Sequence, residues 1–435
     1  MSMDWKSIRL ILWLALLMIG VLLLFSLTLV EGGQFPSLSS QAIIVEAVDS
    51  SNSKSVQDWT LLEKVEECKE ALRNSSKLEF VEKKGKLIKK QVALCVLNIE
   101  TGEVLEKRFW LDEQDVARAN KLRRNYQNNP NNLPKFMPID PQEDFEVTTN
   151  WWNNWASDLS VEKIGSASND IYIVAGNKFS VPNSYIDYPE DKTGPKYSDI
   201  VFVSPYPEGI HDPEIVRAGI EFLSRRVSLA FDELRSQGIK SLSFPDQLVV
   251  DTMSETFVKS ILLVEQTDPD AILNKAKTDE EKRKVAEKVL LRYGLNGDKA
   301  YRYTVSKAGA AGPAQIMAST GSLMYRTYPE ANLFRDIDIG RLDMVNAIKT
   351  EILVFDHHLS EVRRRVNSSG SRAKTIFTNL NEDLLDEVRG MVYNGGPSKY
   401  NVVTGGLNMR KKGAGETKLF LEKLRVIRGL KLFDV

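Results

Sequence analysis

The chain has 435 residues, enough for two or three domains, and with 42% hydrophobic and 27% charged residues it can bury a substantial core. Its 58 basic and 59 acidic residues leave a net charge of −1, which argues against a protein built to coat nucleic acid or an anionic membrane surface, because those partners select a strong positive excess. Two cysteines, Cys68 and Cys95, exclude a disulfide scaffold and a four-thiolate zinc site, and leave open one bridge or two free thiols.

In chain order, Lys6 and Arg9 precede the uncharged run "LILWLALLMIGVLLLFSLTLV", Leu10 to Val30, which is long enough to cross a bilayer of about 30 Å as a helix. Basic residues before it, and Glu31 and Glu46 after it, predict a cytoplasmic N-terminus and an exported remainder. A cleaved signal peptide is the competing reading. Its apolar core is usually shorter and ends in a small-x-small cleavage site. Here "SLTLVEGGQF" follows, with no cysteine to take a lipid. The expectation is a retained signal anchor, residues 1–30, that makes the chain a single-pass protein of the cytoplasmic membrane with its bulk on the extracytoplasmic side.

A linker, "GGQFPSLSSQ", leads to a polar helix expected from about Val56 to Arg73. "KQVALCVLNIETGEVLEKRFWL" predicts two strands turning about Glu100-Thr101-Gly102, since alternation flanks a glycine-bearing turn. The segment "QNNPNNLPKFMPIDPQ", Gln127 to Gln142, has a loop composition and would split residues 31–243 into two lobes. In "WWNNW", residues Trp151, Trp152 and Trp155 either stack on sugar rings or pack in a core. Two short β-like runs follow, "DIYIVAG" and "DIVFVS". Asp212-Pro213 then predicts a helix start, with an N-cap acid and proline in the first turn, and Gly238 its end. From about Phe244 the chain reads as almost wholly helical. The fold class expected is α+β: a mixed α/β region over 31–243 and a mostly α-helical one over 244–435, without solenoid repeats.

Within the second region, Val250, Met253, Phe257, Ile261 and Val264 step by three and four and predict one helix with a buried stripe. Glu265 borders that stripe at the helix's last turn. Apolar neighbours and the negative end of the helix dipole both disfavour an ionised carboxylate there, so its pKa is expected to rise. A carboxyl still protonated near neutrality can give a proton to a leaving-group oxygen, the task of the acid in glycoside cleavage. A surface glutamate at a helix end fits the spacing equally.

The sequence around and beyond Glu265 resembles the lytic transglycosylases of bacterial peptidoglycan, in the branch related to goose-type lysozyme. The resemblance rests on four blocks in the family's order: "LLVEQ"; then Ser306, Gly309, Ala310, Gly312, Gln315 and Met317; then "VYNGGP" from Val392 to Pro397; then "ETKLF" from Glu416. It covers about Phe244 to Leu430 and implies a lysozyme-like helical domain. It further implies that Glu265 is the single general acid and base, cleaving the β-1,4 bond between N-acetylmuramic acid and N-acetylglucosamine. The C6 hydroxyl of the muramic acid residue attacks in place of water and leaves a 1,6-anhydro end, without metal or cofactor.

By position, the small residues from Ala308 to Gly312 would let backbone approach the glycan, Gln315 and Met317 would line the cleft, and Tyr393 and Asn394 would face the acid. Ser306, Gly309 and Gly312 complete the implied substrate-binding set, whereas Glu416 would tie the last helix to the domain. The implied partners are glycan strands of peptidoglycan and the membrane, with no nucleic acid. A hydrolytic lysozyme and a non-catalytic peptidoglycan-binding envelope scaffold are the alternatives.

The chain departs from the family pattern in three places. Gln266 stands where serine is usual, and Pro313-Ala314 replaces the commoner Leu-Met. About 268–304 is an insertion, in which Thr278 and Glu281 form an expected capping box and Gly294 an expected helix stop. Asp268 and Asp270 are candidates for a second carboxylate, which would permit water-mediated chemistry. Asp356-His357-His358 lacks metal-ligand spacing and reads as a solvated helix face. His211 reads as a loop histidine.

Overall fold

The computed structural model describes residues 59–434 except 85, 115, 118–143, 152–154, 156, 166–170, 183–196 and 208. The expected anchor, the linker after it, the Gln127–Gln142 segment and Trp152 lie outside these residues. Among the described residues no helix is long and apolar enough to cross a membrane. The architecture is mixed α/β, with the strands in the first half and helices dominating the second.

Helix α1, Leu61–Asn74, starts later than expected because Thr60 is extended and caps it, its hydroxyl accepting from Glu63 N while the Glu63 carboxylate accepts from Thr60 N. Next come strands β1 (Phe80–Lys83), β2 (Lys86–Asn98) and β3 (Val104–Asp112), the last two turning at Gly102 as the sequence predicts. A hairpin of β4 (Phe145–Trp151) and β5 (Asp158–Lys163) precedes β6 (Tyr172–Pro182) and β7 (Tyr197–Phe202). The thirteen-residue β2 organises an antiparallel sheet, pairing with β1, β3 and β6, and β6 pairs in turn with β7.

From Val92 to Leu97 every residue of β2 is buried, because both sheet faces are covered. Ala93, Cys95 and Leu97 pack under α1, and a Cys68–Cys95 disulfide joins that helix to the strand. Val92, Leu94 and Val96 face Phe145, Val147, Leu159 and Val161 of the hairpin. Trp155 closes this second cluster, edge-on to Phe179 and Phe202 and stacked on Tyr303 at 4.0 Å, so its ring packs in the core.

Helix α2, Pro213–Ser236, begins where Asp212 accepts from Glu214 N at 2.7 Å and ends before Gly238. The single helix expected from Val250 to Val264 is two pieces. A 3₁₀ turn, Val249–Thr252, gives way to extended Ser254, whose hydroxyl caps α3, Glu255–Gln266. In α3, Phe257 to Val264 are all buried, so it is a central helix rather than an amphipathic one.

After a π-helical turn at Ala271–Lys275, α4 (Asp279–Asn296) opens on the expected Thr278/Glu281 capping box. Gly294 does not stop it; the helix runs to Asn296 and Gly297. Gly294 instead lets α4 cross α2 at backbone contact: a Cβ there would lie 2.4 Å from Ile215 O, and one at Gly219 only 2.0 Å from Leu290 O.

The remainder comprises α5 (Ala318–Thr327), α6 (Ile337–Leu342), α7 (Met344–Asn367), α8 (Ser371–Thr378), α9 (Glu382–Gly395), a short hairpin of Tyr400–Asn401 with Gly406–Leu407, and α10 (Ala414–Gly429). One apolar core runs from Val65 of α1 through α2, α3, α4 and α7 to Leu432. The inserted α4 contributes to that core and is bonded to the sheet region: Asn296 exchanges hydrogen bonds with Val203 N (2.9 Å) and Val203 O (2.8 Å), and Lys69 Nζ donates to Leu295 O at 2.8 Å.

Candidate active site

Glu265 sits in the last turn of α3, where four elements from distant parts of the chain meet. Gln266 Nε2 donates to Pro313 O at 2.8 Å, and Tyr393 Oη, from the end of α9, donates to Ala314 O. Phe257, Phe355 and Tyr393 form an aromatic ladder at 4.9 Å steps that joins α3, α7 and α9. From α10, Lys423 Nζ donates to Val264 O at 2.6 Å and Thr267 O at 2.9 Å. All four sequence blocks therefore converge on one helix end. The two departures from the family pattern, Gln266 and Pro313-Ala314, touch each other: a longer amide spans to a carbonyl, and Ala314 fits where no side-chain surface is left exposed.

The Glu265 carboxyl is enclosed, and its pKa is pushed up to about 7. Burial is the largest cause; Lys423 opposes it and Glu416 adds to it. The dipole argument from sequence needs correction here, since the negative end of α3 is already neutralised by the Lys423 ammonium. Burial in turn lowers the pKa of Lys423, against the pull of Glu265 and Asp268.

The second carboxyl is not the one expected. Asp268 accepts from Ala271 N at 2.7 Å, while Asp270 is held by Asn274 (2.9 Å) and Lys275 (2.9 Å), so both serve local structure. Within electrostatic reach of Glu265 lies Glu351 of α7, fully buried, with no hydrogen-bond partner for either carboxyl oxygen among the described residues. Burial first, and Glu265 second, push its pKa well above the carboxylate range, so at neutral pH it is a neutral acid. The Tyr293 hydroxyl, on α4, is likewise buried and unpartnered, and burial and Glu351 both raise its pKa. Sequence reading missed Glu351 because it lies among apolar residues of α7 in no recognisable motif.

The small-residue segment is a closed loop. Val305 bridges Ala311, which also bridges Ile316. Ser306 Oγ accepts from Ala310 N at 3.0 Å, and so holds the loop's turn. Gly309 is exposed with open space around it, as approach to a ligand requires. Gly312 is buried, however, with φ +76° and its missing Cβ position 1.9 Å from Arg341 O; its smallness serves packing against α6. Gln315 adopts φ +47° and turns its amide back onto Gly312 O at 2.8 Å, so it braces the loop from inside. Met317 is 38% exposed at the start of α5.

Asn394 lines an open depression of about 380 Å³ together with Glu416. Glu416 is exposed and ties nothing to the domain, in contrast to the role expected of it.

The His pair is structural. Asp356 is buried and accepts from Ser241 Oγ (2.5 Å), Leu242 N (2.6 Å), Ser243 N (3.1 Å) and Tyr328 Oη (2.9 Å). His358 Nδ1 meets Val392 O at 2.8 Å, and burial lowers its pKa to about 4. This helix face is packed, not solvated as expected. His211 pairs with Glu287 at 2.8 Å. Among the described residues no group of histidine, cysteine and carboxylate side chains is arranged to hold a metal. The arrangement around Glu265 can therefore exchange a proton with a bound group near neutral pH.

No protein-family model matches the chain, no curated protein is significantly similar to it, and no solved structure matches it.

Proposed function

We propose that this protein is a membrane-anchored lytic transglycosylase that cleaves the N-acetylmuramic acid to N-acetylglucosamine bond of peptidoglycan, with Glu265 as its single acid and base. The observation that carries the reading is the convergence of the "LLVEQ", Ser306-to-Met317, "VYNGGP" and "ETKLF" blocks on one enclosed carboxyl that is half protonated at about pH 7. In this reading the helices after Phe244 form a lysozyme-like domain, and the segment 10–30 is its anchor.

A carboxyl poised at neutrality is matched to both halves of the reaction. Protonated, it gives its proton to the bridging oxygen as the glycosidic bond breaks; ionised, it takes the proton of the attacking C6 hydroxyl and is restored. Tyr393 has its hydroxyl committed to Ala314 O and so fixes the loop relative to the acid. Asn394 makes no hydrogen bond to any described residue and remains available to a substrate N-acetyl group. Glu351 has no exposed surface and thus cannot activate water at a sugar; it does not turn this arrangement into a two-carboxylate hydrolase.

The test is product analysis with the full-length chain in detergent acting on purified peptidoglycan. Wild type should release 1,6-anhydro ends, lighter by one water than hydrolytic products, and Glu265→Gln should release none while keeping its circular dichroism spectrum. Reducing ends would replace this reading by the hydrolytic one, and equal turnover by wild type and variant would remove Glu265 from the chemistry.

A further inference from the structure

The depression beside the start of α10 plays no part in the acid and base chemistry. Its wall includes the side chains of Asn394, Ser398, Lys411, Lys412 and Glu416, and none of the five has a hydrogen bond or ion pair with a described residue. Unpaired polar groups normally disperse over a surface, and their convergence on one hollow is a recognition pattern. Buried Lys399 fixes the hollow's floor, its ammonium donating to the Lys412 carbonyl.

Charge narrows the ligand. Two unpaired ammoniums and the amino end of α10 outweigh one carboxylate, so the hollow favours a ligand rich in carboxylates. Glu416 adds one place for a cation, so a ligand with a single amino group beside its carboxylates fits better than a simple anion. Position narrows it further. Asn394 directly follows Tyr393, and Glu416 lies within electrostatic reach of Glu265, so a ligand in the hollow is continuous with one bound at the acid.

We propose that this hollow is a subsite for the peptide branch of the glycan, with Lys411 and Lys412 pairing its carboxylates and Glu416 its amino group. The inference rests on the peptidoglycan reading of the Glu265 site and adds that the enzyme selects peptide-bearing strands.

The first arm of the test measures binding alone. The full-length chain in detergent is titrated with the tetrapeptide stem released from the wall, and separately with inorganic phosphate, as wild type and as the Lys411→Ala, Lys412→Ala double variant. Wild type should bind the stem, the double variant about tenfold more weakly, and phosphate should not displace the stem at equal concentration. Unchanged binding in the variant, or displacement by phosphate, overturns the proposal. The second arm compares cleavage of peptide-bearing strands with strands stripped by an amidase. The wild-type preference for peptide-bearing strands should fall about tenfold in the double variant; no preference in wild type overturns the subsite. Wild type that binds the stem but cleaves neither substrate supports the subsite and overturns the catalytic reading.

Discussion

The titration of Glu265 is set by enclosure, and this has a consequence for stability. Its carboxyl ionises at about 7 in the folded protein, against 4.5 for a free glutamate. Between those values the folded state keeps a proton that the unfolded state releases, so the group's contribution to stability is lost as pH rises from about 4.5 to about 7. Glu265→Gln removes that penalty and should stabilise the protein by about 1–3 kcal/mol at pH 8, part of the gain being offset by Lys423, which loses its partner. At pH 4.5 it should change little. Denaturant titrations at the two pH values check this, and an equal effect at both would mean that the carboxyl titrates freely. Glu351 carries a different cost. A buried acid with neither oxygen hydrogen-bonded gives up its hydration for nothing, so Glu351→Leu should stabilise by about 1–2 kcal/mol at neutral pH. A melting temperature lowered by this change would reveal a partner for the carboxyl.

Among the helices, the sharpest constraint is the crossing of α2 and α4. A methyl group at Gly219 would enter the carbonyl of Leu290, backbone that cannot swing aside as a side chain can. Gly219→Ala should therefore destabilise by about 3 kcal/mol, read by denaturant midpoint at unchanged slope. A cost within about 0.5 kcal/mol, typical of a surface substitution, would show that the helices can separate without loss. The same crossing explains what local signals left hidden. Caps are written next to the helices they start, so Asp212, Thr278 and the Gly238 stop were legible. Gly294 carried the same chemistry as a stop but served a contact with Ile215, about eighty residues away, which no local signal announces. At the site, Glu265 and the order of the blocks were readable, because a carboxyl on an apolar stripe is conspicuous. The direction in which Gln315 and Gly312 face was not, since it depends on where α6 lies. Glu351 and Lys423 were invisible for a related reason: each acts on Glu265 from a helix whose own sequence is ordinary.

On the scale of the whole described molecule, the inserted α4 changes what the fold can do. It is built into the core, receives Lys69 of α1 at its end, exchanges bonds with Val203 beside β7, and sends Tyr303 to stack on Trp155. The sheet and the helices that hold Glu265 thus share one hydrophobic interior instead of meeting at a thin interface. Such a continuous core predicts cooperative loss of structure. The disulfide tests this from a distance, because Cys68 and Cys95 lie on α1 and β2, far along the chain from Glu265. The bridge closes a loop with a sequence separation of 27, and removing it by the paired Cys68→Ala, Cys95→Ala substitution should cost about 3–4 kcal/mol through the unfolded chain's added freedom. If the core is one unit, that loss should appear equally in tryptophan fluorescence, which reports Trp155 and the sheet, and in far-ultraviolet circular dichroism, which is dominated by the helices. The two denaturation curves should coincide before and after the substitution, both shifted by the same amount. A fluorescence transition that moves while the helical signal stays in place would divide the sheet from the helices around Glu265, and leave α4 as a strap across two separately stable bodies.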